Sequence, residues 1–148
     1  WNFSNVWMGA TVRNVSLDTS GGMTAGGWTF NGGSWRNTLT GATSTTNALL
    51  ATGLVSGLTV KGVTINTSST TDASTAGLAF TTAGGAAPKR VVVDGNTIYV
   101  GAASAGAASF SAESTFHFGG GYVVGARPTY SGALSSARVF TDYGFAAS

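Results

Sequence analysis

The sequence predicts an all-β chain wound as a short parallel β-helix, a solenoid of about six coils. Three observations predict it: a composition almost without charge, strand-type alternation in place of helical patterning, and a corner motif that returns along the chain. Charged residues make up 8% of the 148 residues, aromatics 11%, and glycine fills 23 positions. An ordinary globular domain is about one-quarter charged. Disordered chains are poor in aromatics, which excludes disorder here, and the two prolines, Pro88 and Pro128, exclude a proline-rich or collagen-like chain.

Residues 12–17, 58–65 and 91–100 are rich in β-branched side chains, alternate apolar with polar, and run into Asp, Asn or Gly, which is strand chemistry. The alanine-rich piece at 101–109 carries too much glycine and serine to hold a helix. The corner motif has an apolar residue, two turn residues, and a short strand whose third residue is again apolar. It reads Val12, Arg13-Asn14, Val15-Ser16-Leu17, then Phe30, Asn31-Gly32, Gly33-Ser34-Trp35. It continues as Val60, Lys61-Gly62, Val63-Thr64-Ile65 and as Val93, Asp94-Gly95, Asn96-Thr97-Ile98. A looser fifth copy is Phe118, Gly119-Gly120, Gly121-Tyr122-Val123, and a sixth is Phe140, Thr141-Asp142, Tyr143-Gly144-Phe145.

A sharp bend between strands needs one residue at positive φ, which Gly adopts freely and Asn or Asp next best. The second turn position holds Asn14, Gly32, Gly62, Gly95, Gly120 and Asp142, as that constraint selects. The apolar residues flanking each corner are expected to face inward, and Ser16, Ser34, Thr64, Thr97 and Tyr122 outward. Measured from the residue before the corner, the intervals are 18, 30, 33, 25 and 22. Such spacing suits a solenoid with unequal loops and not a propeller, whose blades take about 40–50 residues each. The interval of 18 is short for a three-faced coil, and residues 3–6 (Phe-Ser-Asn-Val) read as another corner of the first coil. Leu49-Leu50 and Leu78-Ala79-Phe80, inside the long intervals, read as further inward strand pieces. The 148 residues are expected to form one domain, a fragment of a longer chain that begins at Trp1.

The stretches TVRNVSLDT, LTVKGVTINT and RVVVDGNTIYV resemble coils of the right-handed parallel β-helix proteins, the pectate-lyase-like superfamily that includes bacteriophage tail spikes. That resemblance implies a right-handed, extracellular, cell-surface or virion-borne solenoid that meets cell-surface polysaccharide, often as a side-by-side homotrimer or in a larger virion assembly. No catalytic motif of the family is present to carry across.

Charge and composition narrow the partners. The seven cations form no stripe able to follow a phosphate backbone, which disfavours nucleic acid. No apolar run approaches the length of a membrane helix, so no membrane insertion is expected. Cysteine is absent, so disulfides and thiolate metal sites are not available, and neither metal nor cofactor is expected. A phosphate loop is excluded because the glycine runs lack the Lys-Ser/Thr ending.

The five carboxylates are Asp18, Asp72, Asp94, Glu113 and Asp142. Glycoside cleavage needs two of them across the scissile bond, and the weak catalytic candidates are Asp94, Asp18 and Glu113. Asp94 stands near Lys89 and Arg90, but turn preference alone explains Asp-Gly at a corner. Asp18 is expected to share its stacking position with Arg36 and Asn66, forming an ion pair with Arg36. Glu113 and His117 lie four apart without further ligands, and His117 reads as an ordinary surface histidine. Trp28, Phe30 and Trp35 fall on inward positions. Trp7, Tyr99, Tyr122 and Tyr130 are expected to be exposed and are the carbohydrate-binding candidates, since an aromatic face covers the apolar face of a sugar ring. Thr11, Thr29, Thr59, Thr64 and Thr97 form partial outward rows of the kind that order water, but the rows lapse at Val92 and His117.

The expectation is a structural and host-surface glycan-binding module of a phage tail spike or fibre, or a similar appendage. The alternatives are a polysaccharide lyase or glycosidase on the same scaffold, and a segment of a bacterial secreted adhesin.

Overall fold

A computed structural model describes residues 1–10, 13–19, 25–37, 47–67, 76–100, 106–110, 115–124, 130–132, 138–141 and 144–146. Among the described residues there are fifteen strands and no helix. The first five are β1 (Asn2–Ala10), β2 (Arg13–Asp18), β3 (Ala25–Asn37), β4 (Asn47–Thr52) and β5 (Val55–Lys61). Then follow β6 (Thr64–Thr67), β7 (Ala76–Thr81), β8 (Val91–Asp94), β9 (Thr97–Val100) and β10 (Gly106–Phe110). The last are β11 (Thr115–Gly119), β12 (Tyr122–Val124), β13 (Tyr130–Gly132), β14 (Arg138–Thr141) and β15 (Gly144–Ala146).

The strands form two sheets, and every ladder between them is parallel. The ten-stranded sheet runs β14-β11-β8-β5-β3-β6-β9-β12-β15, with β1 on β3, and the five-stranded sheet runs β13-β10-β7-β4-β2. Strand β3 joins the two arms of the larger sheet. Its residues 25–31 pair with β5 and its residues 34–36 with β6, so the sheet curls about the Gly32-Gly33 bend.

The bend is built as the residue types require. Gly32, Gly62, Gly95 and Gly120 have φ of 71°, 62°, 63° and 64°, and the ladders on either side place them in one column. Gly33 adds a close approach: a Cβ there would collide with the backbone of Val6.

At the N-terminus the structure corrects the expected register. The column is completed by Asn5 (φ 52°), not by Asn14, because Phe3 pairs with Phe30 and Val6 with Gly33. Asn14 lies in β2, which pairs with β4 in the other sheet. Residues 3–6 and 12–15 share one local pattern, apolar–X–Asn–Val, and either Asn tolerates the left-handed region. Parallel pairing with β3 chooses between them. The aligned positions become 3, 30, 60, 93, 118 and 141, and the interval of 18 becomes 27.

The sixth copy is also shifted. Thr141, not Phe140, pairs with Phe118, while Phe145 pairs with Val123 as expected. The predicted copies have equal spacing, Phe118 to Val123 and Phe140 to Phe145, so the shift by one residue is set by the pairing of β14 with β11 and not by the motif. A second left-handed set was not legible in the motif: Gly27 (φ 68°) within β3, Gly57 (φ 71°) within β5 and Arg90 (φ 55°) just before β8 share one register position.

The inward positions hold the core. Phe30, Trp35, Val60, Ile65, Val93, Ile98 and Val123 are buried, and so are Leu49, Leu78 and Phe80 from the third set of strands, as expected for strand pieces within the long intervals. Rings stack from rung to rung, with Phe3 and Phe30 at 5.0 Å and Phe30 edge-on to Trp35 at 5.2 Å. Trp28 is half-buried, stacked between Trp1 at 5.8 Å and Phe3 at 6.1 Å. Buried Asn96 serves the bend between β5 and β6. Its Nδ2 donates to the Val60 carbonyl at 3.0 Å, and its Oδ1 accepts from the Val63 N–H at 2.8 Å.

Candidate aromatic face on the parallel sheet

In a strand, alternate residues face outward, and in a parallel ladder they align in rows about 4.8 Å apart per strand. On the arm made by β1, the second half of β3, β6, β9, β12 and β15, one row reads Trp7, Ser34, Thr64, Thr97, Tyr122, Gly144. The row beside it reads Gly9, Arg36, Asn66, Tyr99, Val124, Ala146. The expected outward row had Ser16 at its head. The corrected register puts Trp7 there and sends Ser16 to the five-stranded sheet, opposite Leu50.

Three of the four aromatic candidates therefore share one face. Trp7 is 82% exposed, Tyr122 59% and Tyr99 36%. Trp7 and Tyr122 stand four strands apart in the same row, about 19 Å. Tyr99 is the diagonal neighbour of Tyr122, within reach of its ring. Between the two ends lie hydroxyls and an amide from Ser34, Thr64, Thr97 and Asn66. Tyr130 is on β13, in the other sheet, and its side chain lies outside the described residues.

At the Trp7 end the surface dips. A shallow depression of about 370 Å³ is lined by Trp7, Met8, Gly9, Ser34 and Arg36. Two of the strands that line it are tied together by Asn14, whose Nδ2 donates to the Met8 carbonyl at 3.1 Å and the Arg36 carbonyl at 3.3 Å, joining β1 and β3 from β2. Gly9 keeps the depression open, since a Cβ there would meet nothing within 4 Å. Neither Asn14 nor Arg36 is singled out for this place by the motif. The signal was the spacing of Arg36, two residues beyond outward Ser34, and it becomes visible only once Trp7 is placed beside it.

The carboxylate candidates sit elsewhere. Asp94, on β8 just before the Gly95 bend, forms an ion pair with Lys61 of the neighbouring β5 at 3.4 Å. Asp18 pairs in register with Thr52 of the five-stranded sheet, whereas the register neighbours of Arg36 are Gly9 and Asn66, so the expected stacking of Asp18 with Arg36 is not formed. Asp18 and Asp94 thus stand on different sheets. Glu113, Asp72 and Asp142 lie outside the described residues. His117 is exposed on β11, in register with Val92 and Phe140. Among the described residues no group of three His, Cys, Asp or Glu comes together to hold a metal. The threonines divide between arms, Thr29 and Thr59 on one and Thr64 and Thr97 on the other, and Thr11 lies outside the described residues.

The arrangement offers flat aromatic surfaces, hydrogen-bonding hydroxyls and amide between them, and one guanidinium, on a rigid parallel ladder. No family model, curated protein or solved structure matches the chain.

Proposed function

We propose that the chain is a right-handed parallel β-helix segment that acts as a structural and glycan-binding module of a phage tail spike or fibre, or of a similar surface appendage. The parallel ladders and the glycine column support the solenoid reading. Its hand follows from the preference of parallel crossovers for right-handed connection. Such a module works at a virion or cell surface, and its low charge favours lateral packing of copies into a homotrimer.

The observation that carries the binding role is the alignment of exposed Trp7, Tyr99 and Tyr122 on one face, with hydroxyl and amide side chains between them. A sugar ring is apolar on its C–H faces and polar at its rim. A ladder of aromatic plates spaced by donors and acceptors matches both. Extended saccharide lying across the strands would meet a new outward side chain about every 4.8 Å.

The test is a glycan array of bacterial surface polysaccharides probed with the 148-residue chain, followed by titration of any ligand found. Alanine at Trp7 or Tyr122 is expected to weaken binding about ten-fold, as for an aromatic anchor. Alanine at Lys89, outside the face, is expected to leave it unchanged. Binding indifferent to Trp7, Tyr99 and Tyr122 would overturn the reading. Native mass spectrometry measures the copy number, and a monomer at all concentrations would remove the trimer from it.

A further inference from the structure

We infer that the Trp7 end of this face is selective for an acidic sugar, with Arg36 reading a carboxylate while Trp7 carries the ring. The inference rests on the glycan-binding reading and names the chemical class the face prefers.

Arg36 is the one cation in the two outward rows, and no carboxylate stands in either of them. The described carboxylates are on other strands: Asp94 is engaged with Lys61 on the opposite arm, and Asp18 is on the five-stranded sheet. Arg36 is exposed and lines the depression together with Trp7 and Ser34. A planar guanidinium binds a carboxylate through two parallel N–H···O bonds, stronger than neutral hydrogen bonds. A neutral sugar would gain the contact with Trp7 but leave the charge unused. A carboxylate attached to the same ring uses both.

The scaffold holds the pair in place. Asn14 bonds the carbonyls of Met8 and Arg36, so the paired strands carrying Trp7 and Arg36 are tied to each other a second time. Toward Tyr99 and Tyr122 the face has only uncharged groups, Thr64, Asn66 and Thr97, which suit the neutral remainder of a repeating unit. The face therefore has a polarity along its length, an anionic residue at the β1 end and neutral residues toward β12.

The experiment titrates the 148-residue chain with a glucuronate-containing bacterial capsular oligosaccharide and with the same oligosaccharide after chemical reduction of its carboxyl groups to alcohols. Wild type is expected to bind the acidic form about ten-fold more tightly, and added salt should narrow that preference. Arg36→Gln should abolish the preference, so that the acidic and reduced forms bind alike. Gly9→Leu, which fills the depression, should weaken both forms. Matched melting curves for wild type and the exposed-site variant Arg36→Gln establish that folding is not the cause. If wild type binds both forms equally, or Arg36→Gln keeps the preference, while Trp7→Ala still loses binding, the acidic-sugar assignment fails and the glycan reading stands. If neither these oligosaccharides nor any array glycan binds, both fail together.

Discussion

Replacing Asn96 with Ala removes the only side chain that serves the bend between β5 and β6 from within the described core. In the structure its amide accepts from the Val63 N–H at 2.8 Å and donates to the Val60 carbonyl at 3.0 Å, both buried. The two backbone groups flank Lys61-Gly62, where the chain turns. Each buried group left without a partner costs about 1–3 kcal/mol. A water entering the vacated space would recover part of this, so the expected loss is about 2–4 kcal/mol. For a chain of this size that lowers the Tm by roughly 5–15 °C. Urea unfolding followed by tryptophan fluorescence is the assay, and the midpoint should fall with no change in slope. Thr64→Ala, one strand away and exposed, is the control and should stay within about 0.5 kcal/mol of wild type. An Asn96→Ala protein as stable as that control would refute the claim that this amide holds the bend. Asn96→Asp adds a directional check. Burial would raise the carboxyl's pKa in the folded state, and only the protonated form can donate to Val60. The variant should therefore be most stable below the carboxyl's unfolded pKa and lose stability as pH rises through the folded one.

Gly62→Ala isolates the cost of the left-handed bend, because the nearest atom to an added Cβ is 4.0 Å away and only φ (62°) opposes it; denaturant titration should show a loss of about 1–2 kcal/mol, with Gly62→Asn losing less. Trp35→Ala, at a fully buried position under Phe30, should cost about 3–5 kcal/mol by the same measurement, and a loss below about 1 kcal/mol would mean that the ring is not part of the core. The Lys61–Asp94 pair, with the lysine 61% exposed, should show a double-mutant coupling below about 1 kcal/mol that disappears in high salt. A coupling well above that would show the pair to be desolvated.

Strand identity and the kind of corner were legible in the residues. Alternating β-branched segments admit only extended backbone, and a tight bend selects Gly or Asn at the left-handed position, so Gly32, Gly62, Gly95 and Gly120 could be placed without coordinates. The inward positions of Trp35, Ile65 and Ile98 followed from the two-residue period alone. Those are local properties, set by steric limits on single residues and by the pleat.

The choice between Asn5 and Asn14 was not local. The two segments have the same short-range pattern, and the pairing of Phe3 with Phe30 and of Val6 with Gly33 decides it through contacts 27 residues away. Arg90 at positive φ is the same kind of result, since nothing in its residue type asks for that conformation and the ladder around Gly57 requires it. The candidate site depends on the same decision. Trp7 enters the outward row, beside the row that holds Arg36, only when β1 lies on β3. Residue chemistry determined which backbone shapes this chain could use. Only parallel pairing between distant strands, which no segment can express by itself, determined which side chains share a face.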